Sequence, residues 1–179
     1  GTANSRMGTG VLAETPPRKH LSDSFIYNPG QPVRSPRYPK GGSSLGSYDQ
    51  AETELRHDVL VYSSPVLEED VNVTGPIQVT LYVSSDALDT DFTIKLVDVY
   101  PNGKAYNLDD SIQRLRYRNG FDKPELMKKG SVYKINIGPL TTSNTFKKGH
   151  QIRIEVAGSY FPKYVRNLNT GGDNLNESV

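Results

Sequence analysis

Gly42, Ser44 and Gly46 spell G-x-S-x-G inside the run GGSSLGSY. That spacing is the nucleophile-elbow pattern, in which a strained strand-to-helix turn exposes a reactive serine. The chemistry needs an apolar strand before the motif and a helix after it. Before it stands PVRSPRYPKG, with Pro32, Pro36 and Pro39, and proline cannot donate to a sheet ladder. After it comes SYDQAETELR, which is short and polar. Glycine and serine also mark flexible linkers for conformational reasons alone, and the flanks favour that reading of Ser44. A triad would further need His20, His57 or His150 within reach of the serine and an acid. His57-Asp58 opens a strand, where neighbours point to opposite faces. His150 follows Lys148-Gly149 at a strand start. All three histidines are therefore read as structural.

Three other groupings carry chemical potential. Asp86, Asp89 and Asp91 form D-x-x-D-x-D between two strands, and clustered carboxylates can hold calcium. The glycine and distal glutamate of an EF-hand loop are missing, however, and aspartates in turns also bond their own backbone. The expectation is no metal, with these three as weak candidates. Arg114, Arg116 and Arg118 alternate with Leu115 and Tyr117, which puts them on one face of a strand. That face is expected to be exposed or to form a salt-bridge row toward a neighbouring domain. The third grouping is Tyr160, Phe161, Arg166, Asn167 and Asn169 in a loop. Loop aromatics with Arg and Asn often make contact surfaces; the same residues would equally suit a loop folded over its own core. Glu68-Glu69-Asp70 reads as a solvated turn. The sequons at Asn72 and Asn176 matter only in a glycosylating host.

Composition narrows the field. The chain has 179 residues, enough for one domain with a real core. Its formal charge of +1 gives no electrostatic reason to expect nucleic acid or an acidic membrane. No cysteine is present, which excludes a disulfide framework and thiolate chemistry. No apolar run is long enough for a membrane-spanning helix, and no cofactor is expected. The 16 glycines and 12 prolines, with valines and isoleucines in short runs, point to strands and turns.

The elements follow from periodicity. GVLAET (10–15) and DSFIYNP (23–29) are short strand candidates, and 29–50 reads as a long Pro/Gly/Ser-rich loop. From Asp58 onward the pattern changes. DVLVYSS, IQVTLYVSS, FTIKLVDVY, SIQRLRYR, SVYKINIG and HQIRIEVAG all alternate apolar and polar residues, or run apolar, with the period of strands. In IQVTLYVSS, Ile77, Val79, Leu81 and Val83 face one way. In FTIKLVDVY, Val97 and Val99 lie opposite Phe92, Ile94 and Leu96, so both faces are apolar and two packed sheets are expected. Thr74-Gly75-Pro76 is read as introducing a strand, and Asn102-Gly103 as a turn with both residues at positive φ. DKPELMKKG predicts one or two helical turns, capped by Asp122 and ended by Gly130. The fold class is all-β: a two-sheet sandwich with a long irregular N-terminal segment. The irregular part spans 1–57 and the main sandwich 58–179, together one domain.

The stretch DVLVYSSPVLEEDVNVTGPIQVTLYVSSDALDTDFTIKLVDVYPNGKAYNL resembles the C-terminal domain of the X-Pro dipeptidyl-peptidase and cocaine esterase (CocE/NonD) family of serine hydrolases, which also includes α-amino acid ester hydrolases. SIQRLRYR, SNTFKKGHQIRIEVAGSYFPKYVRNLNTGG, GTANSRMGTGVLAETPP and GSYDQ extend the likeness over most of the chain. The resemblance, which is mostly to bacterial enzymes, implies a galactose-binding-like jelly roll. It also implies a serine, acid and histidine carried on an upstream α/β-hydrolase domain, so no triad residue transfers here and this chain alone is expected to be inactive. The partner implied is that catalytic domain, with Tyr160, Phe161, Arg166, Asn167 and Asn169 as interface candidates. Family members begin the sandwich with tryptophan-containing strands ahead of GTANSRMG. Without them a sheet edge would be exposed, and self-association through it is expected. The alternative function is a free-standing lectin-like module binding carbohydrate through Tyr82, Tyr100 and Tyr117.

Overall fold

The computed structural model describes residues 2–17, 21–35 and 46–177. Ser44, Gly42 and His20 lie outside the described residues. Six strands follow in order: β1 (Val59–Ser63), β2 (Val71–Val83), β3 (Asp91–Val99), β4 (Ala105–Arg114), β5 (Tyr133–Phe146) and β6 (Gln151–Ala157). They form two antiparallel sheets, one ordered β1-β6-β3-β4 and the other β2-β5. The fold is an all-β sandwich.

Alternation sets the packing. In β2 the inward set Val71, Val73, Ile77, Val79 and Leu81 alternates with exposed Asn72, Thr74, Gln78, Thr80 and Tyr82. In β5 Ile135, Ile137, Leu140 and Phe146 point inward. Facing them across the sandwich are Leu60, Phe92, Ile94, Leu96 and Val156 from the larger sheet. Burying such side chains is worth about 1.5–3 kcal/mol each. The outer face of β2–β5 is polar and tied by cross-strand pairs, Thr80 to Asn136 at 2.8 Å and Thr74 to Ser143 at 3.2 Å.

The larger sheet has no wet face. All nine residues of β3 are buried, because the irregular N-terminal segment and the loop after β6 together cover the side away from the core. Residues 3–12 run along the free edge of β1, with Val61 N donating to Ala3 O and Ser63 N to Gly10 O. Residues 48–50 do the same for β4, with Asn107 N donating to Tyr48 O and Gln50 N to Ala105 O. A 3-10 turn, Thr53–Leu55, carries Glu54 into this layer. The candidates at 10–15 and 23–29 are therefore not full strands: the first makes an isolated bridge, Val11 to Ser63, and the second makes none and is held by side chains, Phe25 against Phe92 and Asp23 on the Tyr62 hydroxyl.

Four local expectations change. Gly75-Pro76 lies within β2, which already begins at Val71; proline is tolerated there because β2 is an edge strand. Only Gly103 of the Asn-Gly turn has positive φ, at 84°. SIQRLRYR leaves the sheet at Arg114, because the fully buried Leu115 turns inward and its N–H bonds Thr90 O. DKPELMKKG forms no helix. Its backbone donors reach other segments instead, Glu125 N to Arg116 O and Met127 N to Leu88 O.

Candidate functional site

The loop that follows β6 is anchored by backbone and side-chain bonds at several points along its length. Gly158 starts it: a Cβ there would sit 2.9 Å from the Tyr27 ring, so only glycine allows this approach. Phe161 then pairs with 33–35, donating to Val33 O and accepting from Ser35 N, both at 2.8 Å. Tyr160 is 1% exposed, and its ring lies under the Lys95 ammonium, 4.3 Å from the ring centroid. Lys163 and the Tyr164 hydroxyl both close on Asp110, at 2.8 and 2.7 Å. Burial pushes the Tyr164 phenol up, and the Asp110 bond adds to that, so the hydroxyl stays a donor.

Asn167 is the second anchor and is fully buried. Its Nδ2 donates to Asp89 Oδ2 and Asp91 Oδ1, each at 2.9 Å, and its carbonyl accepts from the Tyr27 hydroxyl at 2.9 Å. Burial, then the nearby Asp91 charge, raises the Tyr27 pKa to about 12. Arg114 grips Asp91 with two bonds, at 2.8 and 2.9 Å, and also donates to Val165 O. Arg116 grips Asp89 through Nε at 2.7 Å and its own backbone N–H at 2.9 Å, and reaches Gly172 O. Asn169 sits at φ 62°, a conformation asparagine tolerates better than most residues, and its N–H closes a turn on Asn167 Oδ1.

The five loop candidates thus divide. Tyr160 and Asn167 are buried anchors within this chain. Phe161, Arg166 and Asn169 are half-exposed, with Val165 55% exposed between them. Arg166 Nη1 donates to Pro29 O at 2.8 Å. That contact joins the loop to segment 24–31, where an open groove of about 860 Å³ runs past Phe25, His57 and the 88%-exposed Ile26.

The remaining candidates fall elsewhere. Asp89 and Asp91 do not form an open carboxylate cluster: every oxygen accepts from Arg114, Arg116 or Asn167, and Asp86 is exposed apart from them. The arginines do not form a row. Only Arg114 is in a strand, and each has its own acid, Asp91, Asp89 and Glu125. Exposed His57 does not share its neighbour's carboxylate, which Arg56 holds at 2.7 Å. His150 bonds Asp98 at 2.8 Å under the Tyr100 ring; that pairing was invisible in sequence, since Asp98 lies on another strand. Tyr82 lies on the β2 outer face, Tyr100 against His150, and Tyr117 in a 3-10 turn against Phe121. These rings sit on three separate elements, each with its own neighbour, an arrangement that lends a sugar-stacking reading no support.

Comparison with known proteins agrees with this distribution of residues. Residues 7–179 match the family described as the X-Pro dipeptidyl-peptidase C-terminal non-catalytic domain. The chain is 45% identical over 178 residues to a cocaine esterase of Rhodococcus sp., covering 96% of this chain and 30% of that protein. Among solved structures it is similar to an aminopeptidase from a marine sediment Thaumarchaeota archaeon, with TM-score 0.76, 32% identity and coverage of 88% of this chain and 28% of the other. It is also similar to an α-amino acid ester hydrolase, with TM-score 0.78, 28% identity and coverage of 90% and 29%. The chain spans about a third of the length of these relatives. With a family match over nearly its whole length and a sandwich whose charged side chains are committed to holding loops in place, the chain belongs to the X-Pro dipeptidyl-peptidase C-terminal non-catalytic domain family.

Proposed function

We propose that this sandwich braces an α/β-hydrolase-type serine hydrolase domain of the same polypeptide and borders its active-site cleft, the parent enzyme cleaving an ester or a prolyl dipeptide. The observation that carries this reading is the 159–172 loop. Buried Tyr160 and Asn167 fix it from below, and Phe161, Val165, Arg166 and Asn169 stand on its outer side. A docking surface pre-ordered in this way loses little conformational entropy on contact. Residues 1–57 and 58–179 act as one unit in this reading, since the first covers the sheet of the second.

The test uses the polypeptide that joins this chain to a hydrolase domain. Phe161→Ala with Arg166→Ala should lower its thermal midpoint and its esterase half-life on heating. Unchanged half-life would overturn the docking role of this loop. The chain by itself should show no hydrolysis of 4-nitrophenyl esters and no labelling by a fluorophosphonate. A label on Ser44 would overturn its non-catalytic role.

Self-association through the β2 edge is a second reading. Among the described residues β2 pairs only with β5, leaving a 13-residue strand edge open; Pro76 in that strand limits how far pairing could extend. Light scattering of the chain across micromolar concentrations should show a dimer, and a monomer throughout would dismiss it.

A further inference from the structure

Beneath the N-terminal cover lie two carboxyls with nothing to hold one of each one's oxygens. Glu54 comes from the 3-10 turn and Glu155 from β6, and they are 0% and 2% exposed. Glu54 Oε2 is held by Arg153 Nη1 at 2.6 Å, and Glu155 Oε2 by Lys95 Nζ at 2.8 Å. The Oε1 of each is buried and has no donor. Glu155 stands two residues from Arg153 on β6, and so on the same face of that strand, which brings it beside the Glu54 that Arg153 holds. Ionised carboxylates only accept, so neither Oε1 can satisfy the other unless one carboxyl carries a proton. A single proton would satisfy both orphaned oxygens.

We propose that Glu54 and Glu155 share one proton between their Oε1 atoms, and that this proton latches segment 46–56 onto the outer face of the larger sheet, loosening as the pair ionises. The surrounding groups are fixed. Arg153 and Glu155 come from β6. Lys95 comes from β3, also bonded to Gln50 Oε1 at 3.1 Å and set over the Tyr160 ring. β4 contributes Asp110, which is tied to Lys163, and Asn107, bonded to Gln50 Nε2 at 3.1 Å. Val59 and Val61 are the β1 residues on this face. Arg6 N donates to the Glu54 carbonyl. Burial first, and the Glu155 charge second, push Glu54 from 4.5 to about 7, against Arg153.

The sign follows from linkage. Between those two values the folded chain holds a proton that the unfolded chain has lost, so stability falls as pH rises through the window and levels off above it. Burial also raises Asp91, with the same sign, so a variant is needed to isolate the latch. Glu54→Gln keeps a neutral, donating side chain. The 179-residue chain should lose roughly 5 °C of thermal midpoint between pH 5 and pH 8, with amide exchange in 46–56 speeding up over the same range. In Glu54→Gln both changes should shrink by more than half. A variant with the wild-type pH profile would overturn the latch. If the variant fails to fold, carbon-13 titration of Glu54 and Glu155 in the wild type decides: one carboxyl still protonated at pH 6 supports the shared proton, and both ionised at pH 6 refutes it.

Discussion

Asn167 and Asp89 are 78 residues apart in sequence, yet the amide nitrogen of one lies 2.9 Å from the carboxylate of the other. The second hydrogen of that nitrogen goes to Asp91, so one side chain locks the C-terminal loop to the start of β3. Asn167→Ala removes both charge-assisted bonds and should cost about 2–3 kcal/mol in urea unfolding. Asn167→Asp should cost more, because it adds a third carboxylate to a buried pair. Proteolysis within 159–172 should accelerate in both variants.

Lys95 is 3% exposed and pairs with Glu155. Lys95→Ala strands the buried Glu155 carboxylate of β6 without its counter-ion, with an expected loss of about 3–5 kcal/mol. Lys95→Met combined with Glu155→Leu should recover most of that loss, since well-packed apolar replacement of a buried ion pair is often neutral or better. Chemical unfolding of the single and double variants checks both values.

Gly158 faces the Tyr27 ring at a distance no Cβ can share. Gly158→Ala must displace Tyr27, whose hydroxyl holds the Asn167 carbonyl. The expected cost is about 1–3 kcal/mol. Combined with Tyr27→Ala, the second substitution should cost less than it does alone, a coupling measurable in a double-mutant cycle.

Phe161 and Arg166 are half-exposed in this chain. Replacing both with alanine should lower the stability of the isolated chain by only about 1–2 kcal/mol, Arg166 losing its bond to Pro29. A much larger loss would assign them to this domain's own core and not to a docking surface.

Much of the sandwich can be read from period-two runs. Ile77, Val79, Leu81 and Val83 share the core face, and Gln78, Thr80 and Tyr82 the wet one, as alternation requires. β3 reads as apolar on both faces and is buried on both. Alternation has no means of showing what covers the second face. Gln50, Glu54, Lys95 and Glu155 look like ordinary surface residues in sequence, and they become interior only because the irregular segment that carries Gln50 and Glu54 folds onto the sheet that carries Lys95 and Glu155. The loop anchors divide for a similar reason. Tyr160, Phe161, Arg166, Asn167 and Asn169 stand out by type, but which of them are buried depends on Asp89, Asp91 and Asp110, which lie 50 or more residues earlier in the chain. The helix expected at DKPELMKKG has cap residues but only Met127 well buried, so no apolar stripe favours it over tertiary backbone bonds.

Hydrogen exchange at the 159–172 loop, compared between the isolated chain and the polypeptide that carries it with a hydrolase domain, tests the docking role most directly. Slower exchange at Val165, Arg166 and Asn169 in the longer polypeptide, with β2 unchanged, is the expected result. Equal exchange at those amides in both forms would contradict it.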